Sequence, residues 1–215
     1  MQHAFPTDIF KEPDELDVDT LKNLGPLARM AGIWEGTRGL DVHLGEEGAK
    51  KDAYLERYEL QPTDPQLNGP QLLYGLRYHT HVLRPNRPAT FHDQVGYWLW
   101  EPATGMILHS HAIPRGQIAM AIGYAAADAT SFELLCTFGS PINGTCSNPF
   151  LDHAKKTLEF RIKVDFHDDG TWSYEQDTVL KILGRDELFH HTDRNRLSKV
   201  AEPTPNWLLR GSKPG

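Results

Sequence analysis

The chain has 215 residues, a formal net charge of −7, 39% hydrophobic and 24% charged residues, the balance of an ordinary globular protein. That acidic balance, with no Lys/Arg cluster, argues against nucleic acid or an anionic membrane surface as partner. No apolar run reaches the roughly 18 residues of a membrane span, the start is acidic rather than signal-like, and two cysteines, Cys136 and Cys146, make neither a disulfide framework nor a zinc half-site, so the cytoplasm is the expected compartment.

Residues 1–26 read as a polar lead-in, with Pro6 and Pro13, followed by a short capping helix. Leu16, Val18, Leu21, Leu24, Leu27 and Met30 recur at helical spacing, with Gly25-Pro26 breaking the run between Leu24 and Leu27. Such a helix can plug one end of a barrel. After Met30 the period changes to two, and residues 27–200 read as the barrel domain. Segments 33–40, 53–60, 71–83, 90–101, 106–113, 117–125, 131–138, 157–167, 171–183 and 188–200 are rich in aromatic or β-branched residues. Turn chemistry separates them, most clearly Asp168-Asp169-Gly170, a strong hairpin signal. About ten strands with short connections predict an all-β fold, a single antiparallel up-and-down β-barrel, because closure removes exposed edges. Loops 62–70 and 139–154 are longer, as a barrel mouth or cap would need. Residues 201–215 are expected as an extended tail lying along the outside through Trp207.

The last strand, LFHHTDRNRLSKV, carries the only adjacent histidine pair. Alternation sends His190 and His191 to opposite faces, so one of them looks into the cavity. A neutral imidazole there is a natural ligand for haem iron or another metal; the alternation alone leaves open which of the two it is. His79/His81 and His109/His111 sit two apart on strand faces, with His92 between them in sequence. Each pair suits either a metal site or a solvated outer face. Arg115 follows Ile113-Pro114, and Arg77 and Arg161 lie within strands; an arginine inside a barrel can clamp a carboxylate bidentately. Ser147 has no nucleophile elbow, and no Gly-rich phosphate loop opens a helix.

Gly32-Ile33-Trp34-Glu35-Gly36-Thr37-Arg38-Gly39 opens the first strand. Glycines let such a strand bend at a barrel corner while the indole fills the closed end. This G-x-W-x-G opening resembles the nitrobindin-like haem-binding β-barrel family, a calycin-type group whose bacterial members are also called fatty-acid-binding-protein-like. Phe91-His92-Asp93-Gln94-Val95-Gly96-Tyr97 is similar to that family's Met-His-x-Glu-x-Gly-Tyr strand. Ala112–Gly116 falls where the family has an Ala-x-x-Thr-Gly turn, with Arg115 in place of the threonine. The run from Leu180 through Gly184 to His190 is similar to its closing hairpin. Thr37-Arg38-Gly39-Leu40-Asp41 departs from the family's Gly-x-Gly-x-Tyr-Pro.

The resemblance implies a barrel holding haem b through one histidine, with the other axial position open to nitric oxide, and in some members conversion of peroxynitrite to nitrate. Ungapped spacing from Leu180 carries the ligand role onto His190, which is slightly favoured; spacing from Leu188 favours His191. Trp34, Gly36, Thr37 and Arg115 would lie beside the cofactor, with Trp34, Trp98 or Trp100 as apolar wall. The alternative is a haem-free carrier of a fatty acid or other hydrophobic carboxylate anchored by an inner arginine. A homodimer is compatible with either.

Overall fold

Period-two alternation runs through twelve strands, which the computed structural model places within the described residues 6–85, 87 and 89–211. They are β1 (Gly32–Gly45), β2 (Gly48–Pro62), β3 (Gln66–Asn68), β4 (Gln71–Leu83), β5 (Thr90–Glu101), β6 (Met106–Ile113), β7 (Gln117–Tyr124), β8 (Ser131–Thr137), β9 (Thr145–Ser147), β10 (Lys155–Phe166), β11 (Trp172–Ile182) and β12 (Phe189–Ala201). All but β3 and β9 form one antiparallel ring in the order β2-β1-β12-β11-β10-β8-β7-β6-β5-β4, closed by pairing of β4 with β2. The last strand does close on the first. At the Asp168–Gly170 hairpin Gly170 takes a φ of 79°, which an L side chain resists. Part of the β4–β5 connection and the two chain ends fall outside the described residues.

The helix expected before the barrel is reduced to a 3-10 turn, Gly25–Met30. Gly25 sits at a φ of 53°, and Pro26 has no N–H to continue an α-helix from the preceding turn. Its apolar spacing still does the expected job: Leu24, Leu27 and Met30 are fully buried and plug the barrel. Trp34 donates its indole N–H to Met30 O at 2.7 Å and meets Trp172 edge-on. Each such large buried side chain contributes roughly 1.5–3 kcal/mol. Trp207 is not the anchor of the tail. It is 70% exposed at the start of a short helix, α2 (Trp207–Gly211), whereas Asn206, 2% exposed, ties the tail to Thr20, Val18 and Asp64 by hydrogen bonds. Among the described residues no helix is long and apolar enough to cross a membrane.

Bulges help decide which side chains reach the interior, and two of them lie on β1 and β10. On β1, Gly36 pairs with Glu56 and Gly39 with Tyr54, so one extra residue is absorbed around Thr37-Arg38. Trp34 and Gly36 face inward before it, Asp41 and His43 after it. A second shift lies between Thr157 and Glu159 on β10. At the far end from the plug, a one-and-a-half-turn helix, α1 (Pro149–Ala154), is capped by Asn148, whose side chain accepts from Phe150 N and Leu151 N. This points Leu151 toward the mouth.

Candidate functional site

A cavity of about 310 Å³ lies between plug and mouth, within the range of small-molecule sites. Counting back along β12 from fully buried Leu197, the inward positions are Asn195, Asp193 and His191. His191 therefore lines the cavity. His190, the favoured ligand by spacing, is on the outer face, its side chain 60% exposed and its Nδ1 2.7 Å from Asp177. Ungapped spacing fails because face follows strand parity, set here by the core residue Leu197.

The β1–β2–β12 wall is acidic. His191 donates from Nε2 to Asp41 Oδ1 at 2.7 Å, and His43 donates from Nδ1 to Asp41 Oδ2 at 2.7 Å. Burial pushes the Asp41 carboxyl up, but the hydrogen bonds and charges of His191 and His43 outweigh it and hold it low. Burial pulls His191 down, yet Asp41 and Asp193 more than offset this and raise it. Asp193 accepts from Gln176 at 2.7 Å, and burial, reinforced by Glu56 and Asp41, raises its pKa. Deeper, Glu56 accepts from Thr80 Oγ1 at 2.8 Å, Tyr174 Oη at 2.8 Å and Asn195 Nδ2 at 2.9 Å. Tyr174 Oη is also 2.8 Å from Tyr54 Oη. Burial raises the Glu56 pKa against these bonds.

The β5–β6 wall carries histidines. Gln94 Oε1 lies 3.2 Å from His92 Nε2, and Gln94 Nε2 donates to Tyr78 Oη at 2.6 Å. The Tyr78 proton is then free for His109 Nε2, 2.9 Å away, which leaves the His109 proton on Nδ1. That Nδ1 is buried without a partner, and so is Nδ1 of His111. Burial holds His109 well below its usual value and pushes His111 down to about 4, helped by neighbouring His111 and His92 respectively. Burial likewise lowers His92. Both imidazoles of the His109/His111 pair face inward, whereas His79 and His81 are exposed, bonded to Asp93 and Thr90. Among the described residues no group of three or more His, Cys, Asp or Glu is placed to hold a metal ion by itself.

Several expected contact residues lie off the cavity lining. Trp34 is in the plug, and Gly36 backs Asn195, where a Cβ would sit 2.3 Å from Nδ2. Thr37 is exposed in the bulge. Trp98 lies beneath His109, its ring stacked 3.9 Å away, and Trp100 packs against Gly25. Arg115 lines the mouth and donates to Phe91 O at 3.2 Å. Arg77 is exposed, and Arg161 pairs with Glu133 and Glu159 outside, so neither can anchor a ligand within. Asp41, Glu56 and Asp193 were not singled out from the sequence. The signal for two of them was a polar residue in step with core residues, as in Tyr54-x-Glu56-x-Tyr58 and Asp193-x-Asn195-x-Leu197.

The family described as the THAP4-like, heme-binding beta-barrel domain matches residues 23–199. The chain belongs to this family. The crystal structure of Rv2717c from M. tuberculosis has the same fold, with a TM-score of 0.58 at 20% identity over 85% of this chain and 99% of that one. No curated protein sequence matches the chain. The residues present fit the group in the family's name. His191 has its Nε2 held by Asp41, and among the described residues no hydrogen bond engages its Nδ1. Ile113, Phe160, Ile162 and Leu180 supply apolar walls, and Arg115 and Lys155 stand at the mouth. The polar floor is internally satisfied at Glu56, whose two oxygens accept three hydrogen bonds.

Proposed function

We propose that the barrel holds haem b through His191, with Arg115 and Lys155 receiving the propionates at the mouth. The observation that carries this is the inward parity of His191 together with its 2.7 Å bond to Asp41, since ligating histidines characteristically hand their second nitrogen to a carboxylate. Asp41 fixes the ring and its tautomer, and as a ligand His191 gives up the proton that the acidic wall otherwise favours. Bound there, haem would supply an iron with a position open to nitric oxide or peroxynitrite. The apolar walls keep water from that position, and Asn148 holds α1 and Leu151 over the entrance. The carrier reading keeps only Arg115, at the rim.

The test is an absorption titration of the protein with ferric haem, repeated with His191→Ala and His190→Ala. A saturable Soret shift is expected in wild type and in His190→Ala and lost in His191→Ala. Free-haem spectra throughout, or an undiminished shift in His191→Ala, would overturn the assignment; lipid recovered from a colourless preparation would favour the carrier.

A further inference from the structure

The charges of this acidic chain are sorted along the barrel axis. The described segments meeting at the mouth, residues 43–53, 81–85, 87, 89–92, 113–117, 137–158 and 180–191, carry nine Lys/Arg against six Asp/Glu, a net +3. Those meeting at the plugged end, residues 6–31, 62–70, 101–105, 125–130, 167–171 and 201–211, carry twelve Asp/Glu against four Lys/Arg, a net −8. The molecule is thus an electrostatic dipole with its positive pole at the opening.

The same opening exposes large apolar side chains. Phe150 on α1 is 69% exposed, Leu183 61% and Leu188 49%. They sit on adjoining elements, since Leu183 N donates to Ala154 O at 3.0 Å at the end of α1. These three large apolar side chains stand at one entrance among Lys155, Lys156, Lys181 and Arg185, with Asp152, Asp186 and Glu187 as the neighbouring acids.

We propose that the mouth end is a docking surface for an anionic phospholipid bilayer. The basic ring meets the negative headgroups, Phe150, Leu183 and Leu188 enter the headgroup–acyl boundary, and the acidic plugged end is turned away by the same field. This orientation sets the opening against the apolar phase from which an apolar ligand enters or leaves the cavity. The exchange step rests on the function proposed above; the docking does not. The net charge of −7, which read alone speaks against such a partner, averages over two poles of opposite sign.

The test is sedimentation of the full chain with vesicles of phosphatidylcholine alone and of equal parts phosphatidylcholine and phosphatidylglycerol. Binding is expected to the mixed vesicles only, released by salt as charges within a Debye length are screened. The double variant Lys181→Glu/Arg185→Glu is expected to bind at least about tenfold more weakly. The triple variant Phe150→Ser/Leu183→Ser/Leu188→Ser should lose binding; all five positions are exposed, and circular dichroism confirms that the fold is kept. No binding to the mixed vesicles, equal binding to both compositions, or an unchanged triple variant overturns the proposal. So does a concentration-dependent dimer abolished by the triple variant, which would assign the patch to a second copy of the chain. Haem titration of the same variants is a separate readout, so failure of docking and failure of the cavity reading are told apart.

Discussion

The two polar walls of the cavity differ in how completely their groups are satisfied. On the β1–β2–β12 side Glu56 and Asp41 use every carboxylate oxygen, and the tyrosines, Asn195 and Thr80 are locked to them. On the β5–β6 side the chain His92, Gln94, Tyr78, His109 runs in one direction and ends on a nitrogen with nothing to bond, with a second orphan at His111. A saturated network fixes the shape of a cavity, whereas an unsaturated one leaves bonds for something else to make. The acidic wall is the frame that holds His191, and the histidine wall is the adaptable side.

The comparison breaks most visibly at Glu56. Glu56→Ala strands donors from Thr80, Tyr174 and Asn195, and a loss of about 3–5 kcal/mol is expected in urea unfolding. Glu56→Gln keeps one of the two acceptor oxygens, enough for Tyr174 and Asn195 at the Oε2 position, and presents N–H groups to Thr80. Because the folded carboxyl titrates above its ordinary value, the stability of the neutral form is present below the ordinary pKa and is lost as pH rises through the folded one. The stability of Glu56→Gln relative to wild type is therefore expected to increase with pH in parallel melts.

The histidine wall breaks in the opposite direction of pH. His109 and His111 are held neutral in the fold and take up protons on unfolding, so stability is lost as pH falls below their ordinary value of 6.5 toward about 4, where His111 itself titrates. The slope is about 1.4 kcal/mol per proton per pH unit, readable from denaturant midpoints across that range.

A smaller effect sharpens the contrast at His191. Asp41→Asn keeps the shape but weakens the hold on His191, and haem affinity is expected to fall about 10–100-fold in the absorption titration. His79→Ala and His81→Ala, on the outer face, are expected to leave that affinity unchanged.

The strand pattern, the closing strand and the plugging residues Leu24, Leu27 and Met30 were legible because burial on a barrel follows simple alternation. Of His190 and His191 only the alternation was legible, one in and one out; spacing measured from Leu180 pointed to His190, and it is the burial of Leu197 that puts His191 on the inner face. Asp41 was not legible. A count from Trp34 at period two sends it to solvent, and only the residue absorbed near Thr37-Arg38 brings it inside. The hydrogen-bond partners of Glu56 come from β4, β11 and β12, so no local pattern announces them. Nor does net charge reveal that the acids and bases segregate to opposite ends.

The β1 bulge also acts as a frame marker for everything beyond it. Deleting Thr37 or Arg38 would remove only the extra residue, leaving Gly39, Asp41 and His43 to follow Trp34 and Gly36 in plain alternation against an unshifted β2. The tract is thus a slack point, where the strand can lose one residue while the ionic interior and the pairing beyond it stay in place.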